Sequence, residues 1–128
     1  MDRKIIATAA FLGLVSIILG AFGAHALKKV LDISELNTFE TGVKYQMYHA
    51  LFLLFIGSSK DISNKVKKGI FYTIIFGIIL FSGSLYLLAI NRILPFDIRQ
   101  FGFVTPIGGL LFLVGWFCLF VNFYRKNL

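Results

Sequence analysis

Few residues in this chain could do chemistry, and several of them gather at the head of one apolar run. Between Lys44 and Phe55 the sequence reads KYQMYHALFLLF, with Tyr45, Gln46 and His49 ahead of unbroken hydrocarbon. In a helix Tyr45 and His49 stand at i and i+4, and Gln46 and His49 at i and i+3, so the three share a face. A phenol, a carboxamide and an imidazole on one face could hydrogen-bond an amphiphilic ligand, and the imidazole could ligate a metal or haem. If the segment enters a bilayer these groups are costly there, and costly intramembrane groups are where a functional reading begins.

The metal reading is the least favoured of these. Bis-imidazole haem ligation needs a histidine on each of two helices, and the chain's two are His25 and His49. His25 lies at the end of the first apolar run beside Lys28 and Lys29, and no further His or buried carboxylate accompanies the pair. Cys118 is alone, which leaves no CxxC, internal disulfide or thiolate site. No cofactor and no metal site is expected. Neither a phosphate-binding loop, a dinucleotide fingerprint, a nucleophile elbow nor a carboxylate dyad occurs, so no enzyme is expected. No acidic residue is embedded to carry protons or cations, which argues against a channel or transporter. The net charge of +7 sits in short clusters between apolar runs, a placement that suits anionic headgroups better than nucleic acid.

The elements that must position these residues are long and apolar. Hydrophobic residues make up 58% of the 128 and charged ones 15%, with a mean hydropathy of +0.83. A soluble globule of that composition could not cover itself with polar surface. The chain reads as an all-α membrane protein, one domain over residues 1–128, a four-transmembrane-helix bundle with spans at about 5–25, 39–57, 70–90 and 102–123. About 20 residues at 1.5 Å each cross the ~30 Å hydrocarbon core. Ala24-His25-Ala26 resembles a signal-peptide cleavage site, but the run before it exceeds the roughly 7–15 residues of a signal core, so a retained helix is expected. Small residues at Ala9, Gly13, Ser16, Gly20 and Gly23 form a stripe for close helix packing, inside the bundle rather than at a dimer seam. Ser34 followed by Glu35 is the expected N-cap of the second helix, and Gly42 its weak point.

Four spans put eight Lys and Arg residues on the side of the termini and five on the other. The positive-inside rule then places both termini in the cytoplasm, in the plasma or inner membrane. On that topology Tyr45, Gln46, His49, Ser82, Ser84, Tyr86 and Thr105, with His25 at a helix end, lie between the midplane and the outer surface. The inner half is expected to be dry. Two readings follow: the polar groups fix helix packing, as in a structural or accessory subunit, or they line a site for a lipid-like or quinone-like ligand or a partner helix. Membrane lipids, a homo-oligomeric copy or a partner membrane protein are the expected partners, and nucleic acid is not.

Four motifs, one per helix and in order, carry a resemblance over essentially the whole chain: GAFGAH at Gly20–His25, YQMYHAL at Tyr45–Leu51, FSGSLYLLA at Phe81–Ala89 and TPIGGLLFLVGW at Thr105–Trp116. Together they resemble the bacterial membrane family known as domain of unknown function 423, or uncharacterised protein family 0382, with a eukaryotic relative called transmembrane protein 256. The resemblance implies a multi-pass plasma-membrane protein of four helices with the first retained. It implies no activity and supplies no catalytic residue.

Overall fold

The computed structural model describes residues 1–126, and of Lys126 only the backbone. Five α-helices order the chain: α1 (Asp2–His25), α2 (Ile33–Ser58), α3 (Asn64–Ile78), α4 (Ser84–Ala89) and α5 (Val104–Lys126). A π-helical turn over Ile79–Gly83 joins α3 to α4, so these two act as one rod where the sequence predicts a single span. Short 3-10 turns at Leu27–Lys29, Asn91–Ile93 and Arg99–Phe101 carry the two connections at the far end. The described residues contain no strand.

Neighbouring rods run antiparallel. Gly57 near the end of α2 meets Ile5 and Ile6 of α1, and Phe39 near its start meets Gly23. Along α3 and α5, Ile74 lies against Gly115 and Gly77 against Phe112. Both described chain ends therefore lie at one end of an up-down-up-down bundle. Three stretches are long and apolar enough to cross a membrane: Asp2–Lys29, Asn64–Ala89 and Arg99–Arg125. α2 is 26 residues long but does not join that set, because its sequence also carries the polar groups of the bundle interior.

The start of α2 differs from the sequence expectation. Asp32, not Ser34, is its N-cap: Asp32 Oδ1 accepts from the Glu35 backbone N–H at 2.8 Å, and Glu35 Oε1 accepts from the Asp32 N–H at 2.9 Å. This reciprocal box needs an acid or amide three residues after the cap, and the residue three after Ser34 is Asn37, whose short side chain does not serve. Glu35 goes further. Its two oxygens also accept from Arg92 Nη2 at 2.7 Å and Nε at 3.1 Å, while the same Nη2 donates to the Val30 carbonyl at 2.8 Å. One carboxylate thus ties the α1–α2 connection to the α4–α5 connection. The bidentate Arg92 guanidinium, then the Asp32 N–H, hold the Glu35 carboxyl down at about 2.

Two apolar clusters bracket the interior. Toward the chain ends Ile5, Leu53, Ile56, Ile70, Ile74 and Phe112 pack together; toward the far end Leu27, Leu31, Phe39 and Ala89 do so. The end that carries the chain ends, in the connection expected to be polar, holds a buried cation. Lys67 is 2% exposed and its ammonium reaches Asp2 at 3.1 Å, pinning the start of α1 to the start of α3. A charge this deep is tolerated only when paired. Elsewhere the surface is hydrocarbon: Phe11, Ile17, Leu113, Phe117 and Phe120 all point outward. That is the surface of a protein whose solvent is lipid.

Candidate functional site

Between the two apolar clusters lies a layer of hydrogen-bonded side chains, most of it centred on α2. Gln46, 4% exposed, donates its Nε2–H to the Leu12 carbonyl of α1 at 2.9 Å. Its Oε1 accepts from the Tyr86 hydroxyl of α4 at 2.6 Å. One carboxamide therefore joins three helices. Four residues earlier on the same face, the Gly42 carbonyl accepts from the Ser82 hydroxyl at 2.7 Å. The Tyr86 ring lies flat enough there that a Cβ on Gly42 would stand 2.7 Å from its Cε1. Gly42, expected as a weak point in α2, is instead the seat of an aromatic ring.

His49 is 3% exposed and uses both ring nitrogens. Its Nδ1 lies 2.7 Å from the Tyr45 carbonyl, which can only accept, so Nδ1 carries the proton. Its Nε2 then accepts from the Trp116 indole N–H of α5 at 3.0 Å. The two partners together specify one neutral tautomer. Below it the Phe112 ring stacks at 3.6 Å between centroids, 11° from parallel. The imidazole is held on both edges and one face.

The remaining candidates divide. Ser84 and Thr105 meet hydroxyl to hydroxyl, joining α4 to α5, and Ser84 also donates toward the Phe81 carbonyl at 2.9 Å. Tyr45 contributes its backbone carbonyl, while its half-exposed ring rests on Phe81 at 4.8 Å. Tyr45 and His49 share a helix face, as expected, but only His49 turns fully inward. His25 stays outside the network, exposed with Lys28 and Lys29 around a shallow surface hollow. Among the described residues no three His, Cys, Asp or Glu side chains come together as metal ligands. The small residues of α1 face α2: Ala9, Ser16 and Gly23 are buried, and Gly13 and Gly20 stand opposite Met47 and Val43.

Sequence reasoning gives no partner to Trp116, which closes the fourth motif inside the expected span 102–123. The signal was there, since tryptophan in a membrane protein belongs at the interface and a lone one far from it asks for a buried or shielded N–H partner. The Leu12 carbonyl left no signal, because a backbone acceptor has no residue type. Among the described residues no buried side-chain nitrogen or oxygen lacks a hydrogen-bond partner. What the layer can do chemically is therefore narrow: it joins helices, and its polar atoms are already taken.

The fold and the layer define a class, the small helical integral membrane protein whose polar groups face inward and whose hydrocarbon faces lipid. Within that class the chain belongs to the family described as protein of unknown function (DUF423), which matches residues 19–109. It is 42% identical over 106 residues to a UPF0382 membrane protein of Staphylococcus saprophyticus, covering 83% of this chain and 84% of that one. It is 36% identical over 127 residues to the UPF0382 inner membrane protein YgdD of Escherichia coli, covering 97% and 92%. A UPF0382 membrane protein of Haemophilus influenzae is 37% identical over 129 residues, covering both chains fully. No solved structure matches. The chain is accordingly a multi-pass protein of the cell membrane.

Proposed function

We propose that this protein is a structural or accessory membrane subunit without catalytic activity, crossing the bilayer four times with both termini in the cytoplasm. In this reading the outer polar layer fastens the α1–α2 hairpin to the α3–α5 half. The observation that carries it is the closure of the layer: Gln46, His49, Ser82, Ser84 and Tyr86 each spend their polar atoms on other parts of the chain. Such interhelical bonds are worth about 0.6–2 kcal/mol each, enough in sum to specify the packing of a small bundle. α2 is the fourth span although it is the least apolar of the long helices. Gln46 and His49 never meet lipid, so the cost that hydropathy assigns them does not arise.

A second reading, ligand binding by a lipid-like or quinone-like molecule, draws on one feature. Ser84 lines an apolar groove of about 360 Å³ with Ile79, Leu87, Ile98 and Val104. Purification in mild detergent followed by native mass spectrometry separates the two. Bare protein supports the structural reading; a retained quinone lost on Ser84→Val replaces it. The topology is tested apart from this, by a Cys118→Ser, Asn64→Cys variant that a membrane-impermeant thiol reagent should reach only from the cytoplasm.

A further inference from the structure

At the end of the bundle that carries both chain ends, a groove of about 700 Å³ runs between α3 and α5. Its walls are apolar, formed by Ile70, Phe117, Cys118 and Val121, with Thr73 at its far end. Gly69 forms part of its floor, and a Cβ there would meet no atom within 4 Å. Lys65 on α3 and Arg125 on α5 stand at the mouth, opposite one another because the two helices run antiparallel. Among the described residues neither cation has a carboxylate partner, whereas Lys67, Arg92 and Arg99 each sit against one. From Lys65 to Thr73, and from Arg125 to Phe117, the groove runs about 12 Å along the helix axes.

We infer that this groove is a binding site for one anionic phospholipid, its phosphate held between Lys65 and Arg125 and an acyl chain laid along Ile70, Phe117 and Val121. The match is chemical on both counts. A guanidinium and an ammonium at an interface favour a phosphodiester, and an open hydrocarbon trough directly below the cations favours the chain that hangs from it. A soluble phosphate would use the cations and leave the trough unexplained. A second copy of this chain would bring its own basic end against Lys65 and Arg125. The assignment stands apart from the use made of the polar layer, which lies toward the opposite end.

The test is retention of phosphatidylglycerol against phosphatidylcholine by the full chain in detergent, read by native mass spectrometry and by thermal midpoint. The wild type should retain phosphatidylglycerol about thirtyfold better, as two cations near a headgroup imply. Lys65→Gln with Arg125→Gln should abolish that preference while leaving the midpoint without lipid unchanged. Gly69→Leu, which fills empty space, should lower retention of both lipids and leave the fold intact. Equal retention of the two lipids by the wild type overturns the assignment, as does a preference that survives in the double variant. A midpoint raised as far by inorganic phosphate as by phosphatidylglycerol, or a dimer that Gly69→Leu dissociates with no lipid bound, overturns it too.

Discussion

The Trp116 indole N–H points at His49 Nε2 across 3.0 Å, and this bond, beside the Phe112 stack, couples α5 to the centre of α2. His49 can accept it only because its other nitrogen already donates to the Tyr45 carbonyl. Trp116→Phe keeps an aromatic ring against Phe52 but leaves Nε2 buried without a donor. The expected loss is about 1–3 kcal/mol of bundle stability, read as a lower thermal midpoint in detergent. His49→Ala should cost at least as much, and should shift the emission of the chain's one tryptophan. An unchanged midpoint in both variants would show that this bond holds nothing together.

Gln46 and Tyr86 form a second junction, suited to a double-mutant cycle. Tyr86→Phe strands Gln46 Oε1, and Gln46→Leu removes the partner of the Tyr86 hydroxyl and the bond to the Leu12 carbonyl, which keeps the Ser16 hydroxyl as a donor. The two changes together should cost less than their sum, with a coupling of about 0.6–1.7 kcal/mol. Strict additivity would place the stabilisation elsewhere.

Much of this architecture was legible in the sequence, for a definite reason. Long apolar runs broken by KVKKG, or by Pro95 and the charges near it, have no soluble interpretation, so the helical rods could be placed by length alone. Counting depth along them places Gln46, His49, Ser84, Tyr86 and Thr105 between the midplane and the outer surface, and in the structure each of their side chains bonds another part of the chain. Other features were out of reach. Which of Tyr45 and His49 turns inward depends on the rotation of α2 against three neighbours, and a period of 3.6 does not set that rotation. The π-helical turn at Ile79–Gly83 inserts a residue with no compositional mark. Trp116 lies 67 residues from His49, and only the tertiary fold pairs them.

The far-end clasp makes a pH prediction. Glu35 titrates at about 2 in the folded chain against an ordinary 4.5, because Arg92 and the Asp32 N–H favour its ionised form. A depressed carboxyl contributes stability that is fully present above the unfolded value and is lost as pH falls through the folded one. The midpoint difference between wild type and Glu35→Gln should thus hold steady above pH 4.5 and shrink between 4.5 and about 2. A difference that instead shrinks between pH 6 and 8 would assign the effect to another group.

Two glycines separate close packing from mere flexibility. A Cβ on Gly108 would collide with the Phe81 backbone nitrogen and stand 2.8 Å from the Leu80 carbonyl carbon, atoms that cannot swing aside. Gly83, one helical turn from Leu80, has nothing within 4 Å of its Cβ direction. Gly108→Ala should lower the midpoint by the equivalent of about 1–3 kcal/mol, and Gly83→Ala should change it little. Comparable losses at both would mean that the close α3–α5 approach at Gly108 does not set the requirement, since alanine favours the helix over glycine at either site.

The bonds of the polar layer also constrain the order in which the chain can mature. α1 and α2 leave the ribosome first, and between them they satisfy the Gln46 amide, through Leu12, and His49 Nδ1, through the Tyr45 carbonyl. The Gln46 oxygen, His49 Nε2 and the Asp2 carboxylate all wait for groups synthesised later, Tyr86, Trp116 and Lys67. Until those arrive, the Gln46 oxygen and His49 Nε2 of the first hairpin lack the partners they have in the folded bundle. A chain cut in the Ser59–Ser63 connection would face the same situation: neither fragment could persist alone, and co-expression should restore both.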